Sequence, residues 1–157
     1  MLEIRSYRPL DAEVLGAVFH AAVQGADAYS VRQREAWCPA APSGEAWAAR
    51  LANADVVVAE IGREIVGFMT LETETGLVDL AFVHPDHARR GIGRAMVAMI
   101  EGRAKAAGLT RLSTDASLLL EPLLVKLGWT VVARQQVERH GQVLENCRMQ
   151  KVLVPHS

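Results

Sequence analysis

Cysteine is scarce in this chain. Two residues in 157, Cys38 and Cys147, do not make a disulfide framework at this length, so the fold must rest on its hydrophobic core. The thiols read as free, in a cytoplasmic setting. No apolar run approaches the roughly 18–20 residues that span a bilayer. The opening Met1-Leu2-Glu3-Ile4-Arg5 lacks the basic-then-apolar order of a signal peptide and has no myristoylation glycine. No membrane partner is therefore expected. A net charge of −1 supplies no basic excess to hold nucleic acid. Internal repeats, low-complexity stretches and linkers are also missing. What is present is 50% hydrophobic and 22% charged, enough to build one domain over residues 1–157.

Residue patterning gives the order of elements. Leu2–Tyr7 alternates apolar and charged residues as a short strand does. Pro9 and Asp11 open a helix in which Val14, Leu15, Val18, Phe19, Ala22 and Val23 recur at i, i+3, i+4 spacing, running to Gly25 or Tyr29. Val31–Ala36 reads as a further helical turn. Pro39 and Pro42 force a loop, and Ser43 caps a helix that ends near Asn53. The β-branched run Asp55–Ile61, the turn Gly62-Arg63 and the return Glu64–Glu72 predict a hairpin. Gly76 separates it from a third strand that ends at Val83.

Ile92–Ala107 is the clearest helix, stopped by Gly108. A strand over Leu109–Asp115, a helix over Ser117–Leu127 and two strands, Trp129–Glu138 and Val143–Val154, complete the chain. The predicted fold is α/β (α+β), a mixed and largely antiparallel sheet of about seven strands flanked by four helices.

The informative stretch lies at the centre. A strand stops at Val83, His84-Pro85-Asp86-His87-Ala88 turns, and Arg89-Arg90-Gly91-Ile92-Gly93-Arg94 feeds the long helix. Backbone N–H groups at a helix start have no internal partners, and the helix dipole adds partial positive charge there. Glycine lets the chain approach an anion without a Cβ in the way. A P-loop would need Lys-Ser or Lys-Thr after the glycines, and there is none. A dinucleotide fingerprint would need glycine where Met96 stands, and an early parallel βαβ unit. A pyrophosphate cradle for a coenzyme A ester, or a tight turn with solvated arginines, remains. The antiparallel strands before the loop favour the cradle.

At these residues the chain resembles a family. Val83-His84-Pro85-Asp86-His87-Ala88-Arg89-Arg90-Gly91-Ile92-Gly93-Arg94-Ala95-Met96 is similar to the acetyl-CoA motif of the GNAT N-acetyltransferases, Val-x-Pro-x-x-(Gln/Arg)-x-x-Gly-x-(Gly/Ala). The order of elements from Leu2 to Leu153 matches that fold. Leu127-Gly128-Trp129 resembles the family's Leu-Gly-Phe. Tyr29, Trp37-Cys38-Pro39 and Asn146–Lys151 resemble a bacterial subgroup of undefined substrate.

The resemblance implies transfer of an acetyl group from acetyl-CoA, as co-substrate and with no metal, to an amine of a small molecule or protein in a ternary complex. It implies that N–H groups from Arg89, Arg90, Gly91, Ile92, Gly93 and Arg94 hold the pyrophosphate. The main chain of Ala81, Phe82 and Val83 would pair with the pantetheine arm, and Ser117 would contact it. Ser117 reads equally as a helix N-cap. Ala88 replaces the motif's Gln or Arg, removing one side-chain contact while the backbone donors remain.

Direct transfer needs a neutral amine, a stabilised carbonyl oxygen and a proton for the leaving thiolate. Asp79, a charge in an apolar strand, and Glu72, at the end of its neighbour, are the candidate bases. Strand alternation puts Val78, Leu80 and Phe82 on one face and Asp79 on the other. Glu74 reads as a solvated turn residue. The His84/His87 spacing lacks a third ligand for a metal.

Many relatives carry a Tyr where this chain has Leu124, and leucine donates no proton. The proton would then come from water, from Ser117 or from the amine itself. That substitution, with Ala88, keeps open a catalytically weak acyl-CoA-binding sensor. Tyr29 and Trp37 are the candidate acceptor wall, while Trp47, at helical spacing with Leu51, reads as core. The sequence leaves a homodimer open.

Overall fold

The computed structural model describes residues 1–154. Strands β1 (Leu2–Ser6), β2 (Asp55–Ile61), β3 (Glu64–Glu72), β4 (Leu77–Val83), β5 (Arg111–Ser117), β6 (Thr130–Arg139) and β7 (Gln142–Val152) form one sheet in the order β1-β2-β3-β4-β5-β7-β6. Every neighbouring pair is antiparallel except β4 and β5. The Gly62-Arg63 turn joins Ile61 to Glu64 as the sequence predicts, with Gly62 at φ 64°. Among the described residues five α-helices accompany the sheet: α1 (Ala12–Gln24), α2 (Val31–Trp37), α3 (Gly44–Ala52), α4 (Ile92–Ala106) and α5 (Glu121–Lys126). The predicted turn after Val31 is the full helix α2, started by a reciprocal cap in which Ser30 and Gln33 bond each other's backbone N–H.

Both faces of β2 are covered, which explains its unbroken apolar run. Val56 and Val58 point into a core built with Leu15, Phe19, Trp47 and Leu51 of α1 and α3. Val57 and Ala59, one residue out of phase, point into a second core with Ile92, Met96, Val97 and Ile100 of α4. Trp47 is core, as its spacing indicates; its indole Nε1 donates to the Ala12 carbonyl at 2.7 Å. Each fully buried aliphatic side chain contributes about 1.5–3 kcal/mol. The two cores together hold the sheet that positions the site.

Boundaries shift by one to three residues at several elements, and the largest departure from the sequence expectation follows β5, which runs Arg111–Ser117 rather than Leu109–Asp115. The stretch from Ser117 is not helical at its start. β5 continues through Ser117, a turn follows, and α5 begins at Glu121 with Pro122 in its first turn. Ser117 Oγ accepts the Leu120 N–H at 3.2 Å, a local turn bond that competes with helix.

Candidate active site

The parallel neighbours β4 and β5 touch only at their beginning. Leu77 opposite Ser113 is the one register pair between them, and the Thr114 hydroxyl adds a bond to the Val78 carbonyl at 2.7 Å. Beyond that point the strands part. A cleft of about 410 Å³ opens beside the split. Asp79–Phe82 of β4 and Thr114, Asp115 and Ser117 of β5 line it, with Phe19, Tyr29 and Trp37 from the helical side, and alternate residues of β6 and the consecutive Leu144, Glu145 and Asn146 of β7 beyond.

A bulge shapes the β4 edge. Met69 pairs with Ala81 but Leu71 pairs with Val78, so Thr70 faces two residues, Asp79 and Leu80. The buried Thr70 hydroxyl accepts the Leu80 N–H at 3.0 Å, satisfying a donor that the ladder has lost. The extra residue also reverses the strand's phase. Val78 lies in the α4 core, whereas Leu80 and Phe82 lie in the opposite core. Simple alternation, which puts all three on one face, fails here for that reason.

At the far end of β4 the backbone leaves ordinary territory. Arg89 has φ 64° and Gly91 φ 78°, with Gly91 as the N-cap of α4. A Cβ built on Gly91 would meet nothing within 4 Å, whereas one on Gly93 would come within 2.8 Å of Leu123 Cδ2. Gly91 is thus needed for conformation, while Gly93 leaves room for the end of the Leu123 side chain of α5. No N–H from Arg89 to Arg94 donates to an acceptor among the described residues; Ala95 is the first to do so, to the Gly91 carbonyl at 3.1 Å. Alternating backbone handedness with free N–H groups at a helix start is an anion-binding concavity. The site's fit to a diphosphate rests on these free donors and on the open space at Gly91.

The carboxylates fall in different places. Asp79 lines the cleft, where Arg50 of α3 donates to its Oδ2 through Nη2 at 2.8 Å and Nε at 3.2 Å. Its Oδ1 receives no hydrogen bond among the described residues. Glu72 stands exposed at the β3–β4 turn, accepts the Thr75 hydroxyl at 3.1 Å, and is not brought to the cleft. Asp115 is held by Arg148 and Gln135, and Arg148 pulls its carboxyl below the ordinary range.

Tyr29 and Trp37 meet edge to face at 5.4 Å, and Trp37 leans on Phe82 at 5.9 Å. The buried Tyr29 hydroxyl donates to the Glu145 carbonyl at 2.6 Å and accepts the Leu118 N–H at 3.0 Å. Burial raises its pKa above 10.0. Leu124 is buried in the α4 core. The Cys38 thiol is also pushed up by burial. His84 Nδ1 accepts the Asp86 N–H at 3.1 Å, capping its own turn.

Nothing in the sequence marks Arg50, Thr70 or Thr114. Threonine in a strand is ordinary, and Arg50 is one arginine among many on a helix surface.

A seven-stranded sheet split between two parallel strands, with a bare-amide loop at the head of the following helix, defines an acyltransferase architecture. The model of the acetyltransferase (GNAT) domain family matches residues 25–153. An uncharacterized N-acetyltransferase of Escherichia coli K12, YafP, is 32% identical over 151 residues, covering 94% of each chain. A GCN5-related N-acetyltransferase from Rhodopseudomonas palustris superposes with a TM-score of 0.89 at 34% identity, covering 96% of this chain and 95% of the other. YncA of Salmonella typhimurium, a putative acetyltransferase solved with acetyl-CoA, shares the fold at TM-score 0.70 and 20% identity, covering 100% and 96%. The chain belongs to the GNAT acetyltransferase family.

Proposed function

We propose that the protein is an acetyl-CoA-dependent N-acetyltransferase acting on an amine of a small molecule or protein. The single observation that carries this is the row of free N–H groups from Arg89 to Arg94 at the head of α4. Those donors would hold the pyrophosphate, with the side chains of Arg89, Arg90 and Arg94 supplying charge. Ala81, Phe82 and Val83, on the edge of β4 that faces the split, would hold the pantetheine arm by main-chain bonds. Acetyl-CoA supplies an activated acetyl thioester. YncA, a relative in fold, was solved with that co-substrate.

Asp79 is the better-placed base. Asp79 lines the cleft, and its Oδ1, which carries no hydrogen bond among the described residues, would take the amine proton directly or through one water. Glu72, at the β3–β4 turn, is not among the residues that line the cleft. Ser117, lining the cleft at the end of β5, would contact the arm. Tyr29 and Trp37 form the wall that meets the acceptor. Cys38 and Cys147, buried and free, suit a reducing compartment such as the cytoplasm.

Acetyl-CoA should raise the melting temperature of the wild type, and Gly91→Glu, which puts a carboxylate and a disfavoured φ into the loop, should abolish that shift. An unchanged shift in the variant refutes the loop assignment. The buried Leu124, which offers no proton on α5, favours a second reading, a sensor that binds acyl-CoA and turns over slowly. Thiol release from acetyl-CoA across an amine panel separates the two: release above background supports the enzyme.

A further inference from the structure

We infer that the acceptor is an amine that carries its own carboxylate, of the amino-acid class, and that Arg139 reads that carboxylate. The inference rests on acetyl transfer to an amine, as proposed above, and adds the acceptor's chemistry. Gln135, Val137 and Arg139 are alternate residues of β6, so they share one face of the strand, and all three line the cleft.

The charges of the cleft are unevenly matched. Asp79 is bonded by Arg50, and Asp115 is bonded twice by Arg148, at 2.8 and 3.2 Å. Glu145 has Arg134 at 3.7 Å, shared with Glu121. Every carboxylate of the cleft thus has a guanidinium within 4 Å. Arg139 has no carboxylate partner among the described residues; its one hydrogen bond goes to the neighbouring Glu138 carbonyl.

A polycationic acceptor would therefore have to displace an arginine to find counter-charge. An anionic group would meet a guanidinium that is already free, with the planar donor fork that suits a carboxylate. Trp37 and Phe82 provide an apolar surface in the same cleft, so an aromatic amino acid and its decarboxylated twin make a matched pair of probes.

Thiol release from acetyl-CoA by the full-length protein is measured with L-phenylalanine, 2-phenylethylamine and spermidine. The expected result is kcat/KM at least about tenfold higher for phenylalanine than for either other amine. Arg139→Ala should reduce that advantage to about twofold, and Arg139→Lys should retain part of it. A reading free of turnover runs beside it: with coenzyme A present, N-acetylphenylalanine should raise the melting temperature more than N-acetyl-2-phenylethylamine, and Arg139→Ala should erase the gap. Equal or better use of phenylethylamine or spermidine, no gap in the wild type, or a gap that survives Arg139→Ala overturns the inference. The acetyl-CoA melting shift is read on the same samples. Its loss counts against acetyl transfer itself, whereas its presence without carboxylate preference counts against the acceptor assignment alone.

Discussion

The Thr114 hydroxyl donates to the Val78 carbonyl at 2.7 Å, and this bond is the last link between β4 and β5 before the sheet splits. Val78 precedes the bulge that turns Asp79 into the cleft, so the bond fixes both the apex of the split and the residue next to the candidate base.

Thr114→Val keeps the shape and removes the donor, leaving the Val78 carbonyl buried and unpaired. The expected cost is about 1–3 kcal/mol, read as a lower urea midpoint. Thr114→Ser should recover most of it. A carbonyl that carried no such bond would leave the Val variant as stable as the wild type.

Tyr29 ties the loop between α1 and α2 to β7 and to the turn after β5. Tyr29→Phe strips the Leu118 N–H of its acceptor and the Glu145 carbonyl of its donor. A loss of about 1–3 kcal/mol is expected, together with faster amide exchange at Leu118. Exchange at Leu118 equal to the wild type would contradict the bond.

The two glycines of the loop should respond differently to alanine. Gly91→Ala meets no steric obstacle but must hold φ near 78°, at a cost of about 1–2 kcal/mol. At Gly93 the new Cβ meets the end of the flexible Leu123 side chain, which can rotate away. The Gly93 variant should therefore lose less stability than the Gly91 variant in parallel thermal melts. The reverse order would show that α4 and α5 are locked more tightly than this geometry implies.

Asp11 predicts an acid dependence. Arg5 bonds both of its oxygens, at 2.9 and 3.0 Å, and holds its pKa below 3.8, against the opposing effect of burial. A carboxylate with a depressed folded pKa stabilises the protein fully above its unfolded value of about 3.9 and loses that contribution as pH falls through the folded value. Wild type minus Asp11→Asn should thus show a constant stability difference from neutral pH down to about 5, shrinking below about 4. A difference that persists undiminished in acid would assign the effect to packing.

Local patterning made most of the frame legible. Asp55–Ile61 and Glu64–Glu72 are β-branched or alternating runs bounded by a glycine turn, and the strands take those bounds. The head of α4 was legible too, because a glycine N-cap after a basic turn is a local signal. Long-range devices left no such trace. Tyr29 pairs with Glu145 across 116 residues, and Asp79 meets Arg50 only because α3, packed on α1 and β2, brings that side chain within reach of β4. The bulge opposite Thr70 depends on how two strands register, which neither strand encodes alone. It reversed the face of Val78. Ser117 shows the competing side: a residue that suits an N-cap instead closed a turn within three positions.

β6 forms the outer margin of the sheet, with Val131 and Val132 both exposed and a register slip between Val131 and Ala133. An open margin with adjacent valines invites foreign strands to accrete. The register slip and the charges of Arg134, Glu138 and Arg139 act as gatekeepers, spoiling the flat template that fibrillar aggregation requires. The strand that brings Arg139 to the cleft thus also carries the charges that guard this margin.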